Sequence, residues 1–177
     1  MFHKLCAAAL AAAVVPLALS TPAAAHATLE RTEAAADSYY IAVIRVPHGC
    51  AGSPTLKVRV QIPDGVTAVK PQPKPGWQLA VVKARLDPPV TDGHGNSITE
   101  TVREVAWTGH LPDEYFDQFL MSVKLPDKPG ATLYWKIVQE CETGVHRWIE
   151  VPEAGKTARD YREPAPALTL TPKAAAR

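Results

Sequence analysis

Thr55-Leu56-Lys57-Val58-Arg59-Val60-Gln61-Ile62 alternates apolar and polar side chains at almost every step. Successive side chains of an extended chain point to opposite faces. Leu56, Val58, Val60 and Ile62 therefore line one face, with Lys57, Arg59 and Gln61 on the other. A period of two over eight residues predicts a half-buried strand, not a helix. Pro63-Asp64-Gly65 then turns the chain. Upstream, Tyr39-Tyr40-Ile41-Ala42-Val43-Ile44-Arg45-Val46 predicts a second strand, stopped by Pro47-His48-Gly49.

The same grammar continues outward. Residues 66–69 lead into Lys70-Pro71-Gln72-Pro73-Lys74-Pro75-Gly76, whose prolines deny it a central place in a sheet. Residues 77–82 resume as strand, residues 86–97 are turn-rich and polar, and residues 98–107 alternate again. Residues 119–125, 132–139 and 145–151 predict further strands, the last two flanking Cys141-Glu142-Thr143-Gly144. No convincing amphipathic helix and no internal repeat is present. Short strands between Pro and Gly breakers, with 17 Pro in the chain, argue for an all-β sandwich. From Pro164 to Arg177 the composition is that of a Pro/Ala-rich tail, in which Leu168-Thr169-Leu170 can add an edge strand.

The first 25 residues read as a targeting segment. Met1-Phe2-His3-Lys4 is a short basic region, residues 5–19 are apolar but too short to span a bilayer comfortably, and Ala23-Ala24-Ala25 fits the small-x-small cleavage rule. Cleavage after Ala25 exposes His26. Ala25-His26-Ala27 is a rival site that would leave Thr28 first; a bulky imidazole beside the scissile bond favours the former. The expected organisation is a signal peptide at 1–25, a β-sandwich at 26–163 and a tail at 164–177. A mature chain of about 150 residues suits one domain. Lys and Arg number 19 against 18 Asp and Glu, so no basic excess points to nucleic acid, and no second apolar run points to a membrane span. Export places the protein in the periplasm or outside the cell.

Cys6 falls within the targeting segment, which leaves Cys50 and Cys141. In an oxidising compartment such a pair reads as one disulfide. The rival, a thiolate metal site, lacks CxxC spacing. No nucleophile motif, P-loop or dinucleotide fingerprint is present. The residue that stands out is His26, because of its position. A histidine at a free N-terminus offers its α-amine and its Nδ1, which close a six-membered chelate ring on one metal ion. An internal histidine has an amide nitrogen instead. Nitrogen donors in a flat arrangement suit Cu(II), the strongest-binding divalent first-row ion. A carboxylate would complete the set. Glu30 shares a strand face with His26 but lies about 13 Å along it, so it serves only where the chain bends. Glu142, next to Cys141, is the other favoured candidate, with Glu33, Glu104, Glu114 and Glu150 behind them. The plain alternative is a solvated terminus.

The remaining histidines have simpler readings. His48 is a turn residue and His94, in Asp92-Gly93-His94-Gly95-Asn96, a solvated loop residue. His146 and Trp148 share a strand face. Trp77, Trp107 and Trp135 read as core.

His26-Ala27-Thr28-Leu29, Pro47-His48-Gly49-Cys50-Ala51-Gly52-Ser53-Pro54-Thr55, Gln61-Ile62-Pro63-Asp64-Gly65-Val66, Lys74-Pro75-Gly76-Trp77 and Gln139-Glu140-Cys141-Glu142-Thr143-Gly144-Val145-His146-Arg147-Trp148 resemble, in this order, the YcnI-like family of secreted copper-binding domains. The family opening is usually His-Val-Thr; His-Ala-Thr here spares the histidine. The resemblance runs from His26 to about Val151. It implies an immunoglobulin- or cupredoxin-like β-sandwich and a role in copper handling beside other copper-trafficking proteins. It also implies a brace that holds Cu(II) on the mature N-terminal His26 with carboxylate help, and Trp148 as the nearby indole. Carrier or chaperone is the expected role. A non-metal envelope interaction module is the alternative. A copper redox enzyme is less favoured, since it would call on a second brace histidine from His48, His94, His110 or His146.

Overall fold

The computed structural model describes residues 26–91 and 95–173. The targeting segment with Cys6, and His94, lie outside the described residues.

Two sheets pack face to face on one core, with a smaller third sheet at the side. The first sheet orders β1 (Thr28–Leu29), β3 (Tyr39–Val46), β8 (Asp117–Lys124) and β5 (Thr67–Pro71) as β1-β3-β8-β5. The second joins β11 (Val145–Trp148), β10 (Ile137–Cys141), β4 (Thr55–Gln61), β7 (Ser97–Leu111) and β6 (Gln78–Thr91) as β11-β10-β4-β7-β6. The third sets β12 (Ala167–Thr171) between β2 (Glu33–Ala35) and β9 (Thr132–Tyr134). A single 3₁₀ turn, Ala158–Asp160, is the helical element among the described residues.

Alternation decides which residues form the core. Tyr40, Ala42, Ile44 and Val46 of β3 face inward, opposite Phe119, Met121 and Val123 of β8. On the other sheet, pairing sets Trp148, Ile137, Val60 and Val105 in one inward row. The next inward row is His146, Gln139, Val58 and Trp107. This second row matters for the site, because it carries the core's inner face out to the edge strand β11, where it ends in a histidine. Gln139 is 1% exposed, an amide inside an apolar layer.

The proline-rich segment after β5 lies against the core through Trp107 Nε1, which donates to the Gln72 carbonyl at 3.1 Å, and through Trp77, edge-on to Phe119 at 4.9 Å. Trp77 lies so close over Gly109 that a Cβ there would sit 2.4 Å from the indole. β5 is an edge strand, as its prolines require.

Three expectations change. Residues 86–97 are not mainly turn: β6 runs to Thr91 and β7 starts at Ser97, forming a long ribbon. Its outer part is largely exposed on both faces, so no core-facing alternation marks it. Residues 132–139 are two strands in different sheets, β9 and β10, with the fully buried Trp135 at the crossing. The segment from Pro164, read as a tail with an optional edge strand, carries β12 at the centre of the third sheet, with Leu168 and Leu170 buried. Among the described residues no helix is long and apolar enough to cross a membrane.

Candidate metal centre

Cys50 and Cys141 are joined by a disulfide across 91 residues. It ties the loop after β3 to the end of β10. The loop turns through Ala51 and Gly52, both at positive φ, and Cys50 and Ser53 exchange backbone hydrogen bonds at 2.9 and 3.0 Å. Gly49 admits no side chain, since a Cβ would sit 1.9 Å from the Ser53 carbonyl oxygen. His48 is thereby held against the mouth of the β10–β11 hairpin.

Gln139 is the hub beneath it. Its Nε2 donates to the His48 carbonyl at 2.7 Å and to Thr55 Oγ1 at 2.8 Å. Its Oε1 accepts from Trp148 Nε1 at 3.3 Å. A buried amide left unpaired is costly, and these contacts satisfy both ends. They also fix the plane of the Trp148 indole, which is 2% exposed.

His26 meets this indole. The ring centroids are 5.2 Å apart in an edge arrangement. On the other ring contact, His146 stacks on Trp148 at 4.8 Å. His26 Nε2 lies 3.1 Å from the Arg162 carbonyl oxygen. A carbonyl only accepts, so Nε2 carries the proton and Nδ1 of the neutral ring keeps its lone pair.

Neither favoured carboxylate touches His26. Thr28 is registered opposite Arg45, and this puts the Arg45 guanidinium within 2.6 Å of the Glu30 carboxylate, which it captures. The chain leaves strand at Glu30, right after Leu29. Glu142 lies exposed in the β10–β11 turn, while Trp148 is at the other end of β11, about 10 Å along the strand from Val145 at the usual rise. Glu104 and Glu150 are also engaged elsewhere, on Arg59 and on the Glu163 backbone N–H.

The carboxylate that the fold does bring in is Glu163, which the sequence did not suggest. Its Oε1 accepts from His146 Nδ1 at 2.7 Å and its Oε2 from the Arg147 N–H at 2.8 Å. Burial opposes its ionisation, yet the hydrogen bonds from His146 and Arg147 outweigh burial and hold its carboxyl below the ordinary value. Glu163 lies in irregular chain with no pattern around it, and the Glu150 bridge to Pro164 and the hydrogen bonds between Glu150 and Glu163 place it. Among the described residues no three His, Cys, Asp or Glu side chains are grouped so as to hold a metal ion. A brace on His26, as the sequence leads one to expect, would draw instead on a main-chain amine and one ring nitrogen.

Comparison with known proteins agrees with this architecture. A solved structure from Nocardia farcinica, described as an uncharacterized protein with an immunoglobulin-like fold, is 24% identical with a TM-score of 0.61. The match covers 82% of this chain and 98% of that one. The copper-binding protein CutI of Bacillus subtilis (strain 168) is 30% identical over 112 residues, 63% of this chain and 49% of that protein. The chain thus spans about half the length of that relative. The family model described as a domain of unknown function, DUF1775, matches residues 26–170. That interval opens on His26 and closes within β12, so the chain belongs to the DUF1775, or YcnI-like, family of immunoglobulin-like β-sandwiches.

Proposed function

We propose that this protein is an extracytoplasmic copper carrier that binds Cu(II) through the α-amine and Nδ1 of His26, once the segment before it is removed. The observation that carries the reading is the hydrogen bond from His26 Nε2 to the Arg162 carbonyl. It selects the tautomer whose free nitrogen is the one able to chelate together with the α-amine. A ligating histidine whose other ring nitrogen is held by a carbonyl is the usual arrangement at metal sites. Trp148 walls the position on one side. The name of the Bacillus relative, a copper-binding protein, supports the choice of metal.

Glu30 is the carboxylate we assign to the ion. It is four residues from His26, at the bend that ends β1, and its partner Arg45 is as exposed as it is. An exposed ion pair contributes only about 0–1 kcal/mol, which a metal ion readily replaces. We prefer Glu30 to Glu142, which lies exposed in the hairpin turn. We read the role as carriage rather than catalysis, which the name of the Bacillus relative, a copper-binding protein, supports. Periplasmic or secreted location and exchange with other copper-trafficking proteins follow from this reading.

Mass spectrometry of the exported protein, followed by Cu(II) titration monitored by tryptophan emission, tests it. The expected result is a chain starting at His26 that takes up one Cu(II) with quenching of Trp148, lost in His26→Ala and weakened in Glu30→Gln but not in Glu142→Gln. A chain starting at Thr28, or full-affinity binding by His26→Ala, would overturn it.

A further inference from the structure

His48 and His146 are not used by the brace. Their ring centroids are 6.2 Å apart and their planes cross at 81°. Each ring is fixed through Nδ1. His48 Nδ1 lies 2.6 Å from the Gly49 carbonyl oxygen, which only accepts. His146 Nδ1 lies 2.7 Å from the Glu163 carboxylate, with its ring flat on Trp148. In both, Nδ1 therefore carries the proton and Nε2 keeps a lone pair. No hydrogen bond to either Nε2 occurs among the described residues.

Two rings tied down at Nδ1, one of them by a carboxylate, are how proteins prepare histidines for a metal. Imidazole nitrogens bind at about 2.0 Å, which sets two ring centroids on one ion about 5 Å apart at a tetrahedral angle and about 6.4 Å apart in a line. The 6.2 Å here falls near the linear limit. Zinc would need four ligands, and no third His, Cys, Asp or Glu completes a group among the described residues. Two imidazoles at this separation suit a monovalent d¹⁰ ion, which two ligands in a line satisfy. We propose that His48 and His146 form a second site, distinct from His26, that binds Cu(I) through their two Nε2 atoms. The choice of copper rests on the reading of His26; the two-nitrogen geometry does not.

The test uses the disulfide-intact chain beginning at His26, with Ag(I) alone as a redox-inert d¹⁰ probe in chloride-free buffer without reductant. Calorimetry gives the stoichiometry and nitrogen-detected NMR of the histidine rings gives the ligand atoms. The expected result is one tightly bound Ag(I), with Nε2 of His48 and His146 shifted and their Nδ1 protons retained. His48→Gln and His146→Gln each lose it, His26→Ala keeps it, and Glu163→Gln, a positioning residue, binds about 10–100-fold more weakly. Unmoved Nε2 resonances in the unaltered protein overturn the proposal. So does wild-type Ag(I) binding by His48→Gln or His146→Gln, or loss of the ion in His26→Ala alone. Cu(II) titration of His48→Gln reads the His26 site separately, so failure of one site is not mistaken for failure of the other.

Discussion

At the scale of the residue, the chemistry turns on which nitrogen carries a proton. His26, His48 and His146 each meet a fixed acceptor: the Arg162 carbonyl, the Gly49 carbonyl and the Glu163 carboxylate. His26 keeps Nδ1 free, the other two keep Nε2 free. None of these acceptors is near its histidine in sequence except Gly49, so the tautomers were not legible there, whereas the position of His26 after Ala25 was. A second residue sets acid stability. Asp37 turns the chain between β2 and β3 at positive φ, and Lys124 and Lys173 beside it pull its carboxyl down to about 2. A carboxyl depressed in the folded state adds stability above its unfolded value, near 4, and that stability is lost as pH falls from about 4 toward 2. Asp37→Asn keeps a residue tolerant of the left-handed region. Denaturant midpoints measured at pH 2–6 should show a flatter acid limb for this variant than for the unaltered protein; identical slopes would contradict the assignment.

At the scale of the element, legibility followed burial on one face. β3 and most of β4 are read directly from alternation because one side of each meets the core; at the start of β4 a bulge breaks the alternation, so Thr55 is buried and Leu56, read as inward, is not in the core. The β6–β7 ribbon is not, because its outer part meets solvent on both sides and leaves no period to read. β12 was hidden for another reason. Its partners β2 and β9 lie more than 30 residues away, and the prolines before it mimic a tail. Burying Leu168 and Leu170 contributes about 1.5–3 kcal/mol each, and the strand also pairs the backbones of β2 and β9. Against a total stability of about 5–15 kcal/mol, deleting residues 164–177 should abolish cooperative thermal unfolding. A truncated chain that melts cooperatively within a few degrees of the full one would show that β12 is dispensable.

At the scale of the whole molecule, the site is the place where the sandwich's inner face runs out. The inward row of the second sheet ends in His146 at the edge strand β11. The disulfide brings the His48 loop to the same edge, and the chain after β11 returns with Arg162 and Glu163. Gln139 joins these parts from inside. The disulfide closes 91 residues, for which the chain-entropy relation gives about 4–5 kcal/mol. Cys50→Ser with Cys141→Ser should therefore lower the melting temperature by roughly 8–20 °C, read by calorimetry; a loss of under 2–3 °C, on the order of one kcal/mol, would contradict it. The fold class and the Cys pair were legible because strands and cysteines declare themselves locally. The site was only half legible, because Glu163, Gln139 and the His48–His146 pair are assembled by topology.

The central claim is that a free amine at residue 26 makes the copper ligand. It is tested most directly by comparing Cu(II) affinity, by chelator competition, for the chain beginning at His26 and for the same chain carrying one extra N-terminal Gly. The fold, the Arg162 contact and Trp148 stay; the histidine nitrogen becomes an amide. The expected loss is about 10²–10⁴-fold, the range for removing one of two linked binding groups. Equal affinity for the two chains would contradict it.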